Sequence, residues 1–381
     1  MRGFSLFFFV SFFSAAPAWA TPFAADFLQG TDAAGEHVFL VNPATYLPKA
    51  FALGLAESHQ NQTIDVVDTR DNVETKINNS GTRNNHGVGF MLTPGAGLGL
   101  GLNFSNQSEE VFSTNDQSFW RQVAQKESRL RRELSGKLAL EFTPNFRVGV
   151  LFRYQVLKGS VLGSFGAQPD ERSTYNGSLY GGGVGFSFMA GTGAVGAAYL
   201  SPLRGKVKVQ GETKVTTDPG LLLANGSFDL AKNFRAGLYW AKWMHEKDEL
   251  AQPTTSPNKI RKTQISLLGV NRDANLYRTQ ALGLGFDGKF TDKFGARATV
   301  SREQSEFVTN PDKLPGETDN KSNLVTYYRV RSGFFLQTAG FGAQLGADYS
   351  GRKHIRTPSD TQTIQYKSEE LGYFATVQLT F

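Results

Sequence analysis

The end of the chain restricts the fold more than any other segment. Reading back from Phe381, the residues Leu379, Val377, Ala375, Tyr373 and Leu371 share one face, and Thr380, Gln378, Thr376, Phe374 and Gly372 share the other. This is the period of a β-strand. One face is apolar up to the final residue, although chain ends normally fray into water. The pattern recurs upstream as a hairpin. Leu134, Leu138, Leu140 and Phe142 alternate with Ser135, Lys137 and Glu141; after Thr143-Pro144-Asn145, Val148, Val150, Phe152, Tyr154 and Val156 alternate with Arg147, Arg153 and Gln155. In a soluble sandwich the apolar face of such a hairpin would be the inside. Here the polar face carries Lys137, Glu141, Arg147 and Arg153, and the apolar face has about the 9 to 11 residues needed to cross a bilayer obliquely. The alternation therefore favours a transmembrane barrel over a sandwich.

Five further tight turns fit the same scheme, at Thr93 to Gly97, Met189 to Gly193, Ala231 to Asn233, Thr291 to Lys293 and Gln337 to Gly340. Long polar stretches, 107–128, 158–173, 245–275, 308–321 and 352–366, lie between them and read as loops on the opposite side. Short turns on one side and long loops on the other mark an outer-membrane barrel, with the short turns periplasmic. Six hairpins, a first strand near 49–59 and the terminal strand near 367–381 give about fourteen antiparallel strands. Two more alternating segments, 203–216 and 259–268, leave a sixteen-strand barrel open. The first reads as an upper extension of the strand from Ala194, the second as a β-structured outer loop. Bacterial outer-membrane barrels resemble this pattern, and their assembly machinery reads a terminal strand like the one ending at Phe381. Lys242 falls on the outward parity of its strand, where it would snorkel or mark a bulge.

The first 20 residues stand apart. Met1-Arg2 precedes the uncharged stretch FSLFFFVSFFSAAPAW, which leads into Ala18-Trp19-Ala20. This is a secretory leader cut after Ala20. No other run is apolar for about 18 residues, so helical spans are not expected. The chain has no Cys, which excludes a disulfide scaffold and a Cys-anchored lipoprotein. The 40 basic and 34 acidic residues are interleaved, for a net charge of +6. No nucleic-acid partner is expected; exported loop cations would instead face outer-membrane lipid and lipopolysaccharide. The histidines His37, His59, His86, His245 and His354 show no metal spacing or hydrolase motif, so neither an enzyme, a metal nor a cofactor is expected. The glycine-rich runs at 95–102 and 181–186 do not open a helix after a buried strand; they read as barrel wall that another backbone approaches closely.

Residues 21–47 precede the barrel, which occupies 48–381. Phe23, Phe27, Leu28, Val38, Phe39, Leu40 and Val41 make this segment too apolar for water, and a 14-strand barrel is wide enough to be wet unless filled. A plug folded into the lumen satisfies both. At Asn42-Pro43-Ala44 the chain resembles the outer-membrane long-chain fatty-acid and hydrocarbon transporter family (FadL type), whose N-terminal hatch ends in Asn-Pro-Ala before the first strand. Similar in order are Ala198-Tyr199-Leu200-Ser201-Pro202 with Gly205 and Gly211, the segment from Asn225 through Leu238-Tyr239-Trp240 to Trp243, and Tyr277-Arg278 leading into Ala281-Leu282-Gly283. The resemblance implies a hatch-gated channel for hydrophobic molecules in the bacterial outer membrane. It departs from the family in a short hatch whose only glycines are Gly30 and Gly35, and in polar outer loops.

The function expected is passive passage of a fatty-acid-like or aromatic molecule. Phe39, Leu40 and Val41 would line the lower wall of a pocket, and Arg153 and Arg329 would pair with a ligand carboxylate or with lumen acids such as Glu141 and Asp348. Asp116 to Lys126 is a candidate short helix presenting Phe119, Trp120 and Val123 to capture ligand. The alternative is a general or anion-preferring porin with Arg147, Arg153, Arg329 and Arg331 at its constriction. A monomer is expected, delivered by the barrel-assembly machinery.

Overall fold

The computed structural model describes residues 43–44, 51–95, 97–116, 123–165, 171–190, 193–209, 212–218, 220–244, 275–308, 323–338, 340–359 and 362–381. The strands are β1 (Phe51–Arg70), β2 (Val73–Gly95), β3 (Leu98–Asp116), β4 (Val123–Thr143), β5 (Phe146–Phe165), β6 (Glu171–Ala190), β7 (Gly193–Leu200) and β8 (Leu203–Val209). They continue as β9 (Glu212–Asp218), β10 (Gly220–Ala231), β11 (Phe234–Met244), β12 (Asn275–Lys289), β13 (Phe294–Val308), β14 (Asn323–Gln337), β15 (Phe341–Ser359) and β16 (Gln362–Thr380). Each strand pairs antiparallel with its neighbour, and β1 pairs with β16 to close the sheet. Phe51 and Phe381 finish the seam by exchanging backbone hydrogen bonds of 3.3 and 2.9 Å.

Sixteen segments make fourteen staves. β7 and β8 share β6 as partner, at Gly183↔Leu200 below and Tyr180↔Arg204 above. The register slips by one residue between them, at Ser201-Pro202. Pro202 has no N–H to give the ladder. Ser201 N donates to Gly182 O (2.8 Å), and Gly182 N donates to Ser201 Oγ (2.9 Å), a side chain replacing a ladder carbonyl. Of the segment 203–216, β8 is thus the expected extension of the strand through Ala194, whereas 212–216 belongs to β9, which pairs back on β8 and leads into β10, the partner of β7. The other alternating segment, 259–268, lies outside the described residues.

The expected outer loops need correction. The β3–β4 ladder runs to Asn115↔Val123, β5–β6 to Gly163↔Glu171 and β15–β16 to Ser359↔Gln362. Stretches read as loops are in large part strand. The first strand likewise extends to Arg70, where Asp71 and Asn72, at φ 49° and 68°, make a two-residue hairpin turn. A strand of 20 residues reaches roughly 65 Å at about 3.3 Å per residue, well beyond a hydrocarbon core of about 30 Å. Above the membrane both faces can meet water, so the apolar alternation fades while ladder hydrogen bonds continue. For the same reason the helix expected over Asp116 to Lys126 does not form at its described ends, which belong to β3 and β4.

The pleat sorts the side chains. Leu140, Val150, Phe186, Leu238, Leu284, Phe334, Leu345 and Leu371 point outward and are exposed, a belt that lipid covers. Stacked pairs such as Phe234 with Phe286 and Phe294 with Phe334 mark the periplasmic rim. Lys242 points outward as its parity required, with the register on β10 unbroken beside it.

Candidate functional site: the barrel lumen

Inward positions divide into two territories. From β12 through the closing seam to β5 the inner wall is polar and knitted together. Glu370 on β16 is a hub: it accepts from Gln60 (3.0 Å) and Gln62 (2.8 Å) of β1, Ser350 of β15 (3.0 Å) and Arg329 of β14 (3.2 Å). Gln60 in turn accepts from Arg83 (3.2 Å), which pairs with Glu109 (2.9 Å), and Arg129 of β4 lies 3.5 Å from the same carboxylate. Arg153 of β5 grips Glu133 of β4 with two bonds of 2.8 and 2.9 Å. Toward the periplasmic end Arg297 pairs with Asp287, and Arg235 with Asp229. Charge-assisted bonds of this kind keep buried ions satisfied where neither lipid nor an apolar core could hold them.

Above the Arg235–Asp229 pair of β11 and β10, the inner wall from β5 to β11 changes character. Leu151, Leu157, Leu179, Leu200, Leu203, Val207, Leu221, Leu223 and Trp243 are buried and point inward. Leu157, Tyr175, Leu179, Leu203 and Val207 form one cluster high on this side. The kinked stave brings it about. A Cβ on Gly183 would meet Tyr199 O at 2.9 Å, and one on Gly181 would meet Leu203 Cδ2 at 2.8 Å; these bare positions let the β7–β8 stave lean onto β6 and present its leucines. The glycine run at 181–186 thus serves close approach of backbone, as its composition suggested.

The two candidate cations are both engaged with wall acids: Arg153 with Glu133, and Arg329 with Asp348 (3.1 Å) and Glu370. Arg147 pairs with Glu141 (2.6 Å), and Arg331 stands 3.4 Å over the Phe374 ring. Of the hatch motif, Pro43 and Ala44 are described. They form a turn buried against the inner face of β5, where a Cβ on Gly149 would lie 2.5 Å from the Pro43 carbonyl carbon and 2.7 Å from Ala44 N. Phe39, Leu40, Val41, Asn42, Phe119 and Trp120, the leader and the rest of the hatch lie outside the described residues.

Sequence reasoning missed Glu370, Glu109, Glu133 and Gly149. Parity would have found Glu370, two residues from inward Gly372 and four from inward Phe374. Gly149 carried no signal, since the turn it seats is about a hundred residues away.

No protein-family profile and no curated protein sequence matches the chain. Solved structures match its fold. It is similar to a Pseudomonas aeruginosa FadL homologue with TM-score 0.58 at 12% identity, covering 98% of this chain and 99% of that one. The toluene transporter TodX of Pseudomonas putida gives TM-score 0.57 at 10% identity over 100% of both chains. For the toluene transporter TbuX of Ralstonia pickettii the values are 0.50 and 10%, over 89% of this chain and 92% of that one. Identity this low carries architecture alone. With its closed ring of fourteen antiparallel staves and its apolar outer belt, the chain has the fold of the FadL-type outer-membrane barrels.

Proposed function

We propose that this barrel passes hydrophobic or amphiphilic small molecules, fatty-acid-like or aromatic, across the outer membrane. The observation that carries the reading is the apolar sector of the inner wall, Leu157, Leu179, Leu200, Leu203, Leu221 and Trp243, facing a polar sector across the lumen. Burying an apolar side chain or its equivalent on a ligand is worth roughly 1.5 to 3 kcal/mol, so a hydrocarbon gains from such a wall and a sugar does not. TodX and TbuX, which share the fold, are toluene transporters, a cargo of the same class. In this reading residues 21–47 plug the lumen and Asn42, Pro43 and Ala44 anchor the plug to the wall. Arg153 and Arg329 hold that wall together through their ion pairs instead of capturing the ligand.

The test is uptake in a Gram-negative host stripped of its own fatty-acid channel. The protein should speed entry of a labelled long-chain fatty acid or toluene and leave sugar entry unchanged. Leu203→Glu with Leu221→Glu, at equal surface abundance, should cut that gain at least tenfold. Equal entry of sugars and fatty acids, indifferent to these changes, would establish the porin instead.

A further inference from the structure

The outside of the barrel is not uniform. On β4, β5, β6 and β8 three successive outward rows cross the wall: Leu134, Tyr154, Tyr180, Arg204; then Arg132, Val156, Ser178, Lys206; then Leu130, Lys158, Asn176, Lys208. Arg132, Lys158, Arg204, Lys206 and Lys208 are all exposed. Among the described residues no acidic side chain points outward on these four strands. The seam differs, for there Glu57, Asp65 and Glu369 point outward with Lys367. Tyr154 and Tyr180 lie level with Arg204 and beneath the other four cations, where an aromatic girdle meets the lipid head groups. Counted from the periplasmic turns at 143–145 and 190–193, the cations stand 11 to 15 residues up their strands. At about 3.3 Å per residue and a tilt of about 40°, that is roughly 28 to 38 Å, the outer head-group zone.

Below the same cations the outer wall is hollowed. A groove of about 920 Å³ runs across β4 to β11. Ala197 and Ala224 form its floor, with Phe186, Tyr199, Leu222 and Trp240 around it. Its upper row, Leu138, Val150 and Val184, lies four residues below the Tyr154 and Tyr180 row, roughly 13 Å along the strand. By the same measure that row stands about 13 Å above the periplasmic turns, so the groove lies in the half of the membrane nearer the periplasm, apart from the cations.

We propose that this sector is a binding site for lipopolysaccharide of the outer leaflet, with its phosphates on Arg132, Lys158, Arg204, Lys206 and Lys208. The position of the cations, level with or above the tyrosines and not at the periplasmic rim, selects an outer-leaflet lipid over an inner-leaflet phospholipid. The charge asymmetry selects the sector. Five cations spread over three rows and three strands suit a head group with more than one phosphate.

The experiment uses the full-length protein in detergent, titrated with purified lipopolysaccharide, with phosphatidylglycerol as competitor. Each cation near an anionic lipid contributes about fivefold in affinity. Lys158→Gln with Lys206→Gln and Lys208→Gln should therefore weaken lipopolysaccharide binding by on the order of 100-fold and flatten its salt dependence. Lys367→Gln, on the opposite wall, should leave it unchanged. Ala224→Trp, which fills the groove in the periplasmic half of the membrane, should leave lipopolysaccharide binding unchanged. Heat-modifiable migration confirms that each variant is folded. Equal binding by the triple variant and the parent would overturn the proposal, as would displacement by an equal concentration of phosphatidylglycerol.

Discussion

The seat of the Asn-Pro-Ala turn can be tested through one glycine. Replacing Gly149 by Val puts a Cβ where the Pro43 carbonyl carbon would be 2.5 Å away and its oxygen 2.6 Å away. Carbon atoms in contact settle at about 3.5 to 4.0 Å, so the turn must lift by about 1 Å or more, and the Cγ methyls enlarge the clash. The neighbouring atoms are backbone, with no rotamer to yield. Overpacking of this kind costs about 1 to 3 kcal/mol, and each 1.4 kcal/mol is tenfold in an equilibrium. The unseated fraction should rise by roughly 5- to 150-fold. The chain has no Cys, and Ala44 is 0% exposed, so Ala44→Cys installs a single buried reporter. Its reaction with a membrane-impermeant maleimide should be slow in the parent and faster by about that factor with Gly149→Val, without loss of heat-modifiable migration. The Gly149→Ala variant should fall between. Identical labelling rates in all three would mean that the turn does not rest on β5, and the anchored plug would go with it.

Two further outcomes follow from the wall itself. Phe381→Asp places a charge where Phe381 and Phe51 exchange backbone bonds and their rings lie 6.0 Å apart; the protein should accumulate in the periplasm, and normal surface levels would contradict the terminal strand as both seam and assembly signal. Glu370→Ala removes the acceptor shared by Gln60, Gln62, Ser350 and Arg329. Arg329 keeps Asp348 as a partner, so urea unfolding from lipid vesicles should show a loss of about 1 to 3 kcal/mol, the usual cost of leaving buried donors unsatisfied, and no measurable loss would mean that water already satisfies these donors.

The period-two alternation dictated the barrel, its outward belt and its tight turns, because lipid outside and a polar lumen inside stamp opposite demands on successive residues; it left fourteen and sixteen strands open, a choice made by β7 and β8 sharing one partner strand. It also placed Arg153, Arg329 and Arg331 inward and Lys242 outward, since parity alone settles the face. Three further things were decided only in three dimensions. The partners of the cations depend on register between strands distant in sequence, as when Arg329 reaches Glu370 across β15. The apolar cluster high in the lumen depends on the kink at Ser201-Pro202, where a one-residue slip turns Leu203 and Val207 inward. The length of the strands above the membrane left no periodic trace, because with water on both faces only the backbone ladder, common to every residue type, holds them extended.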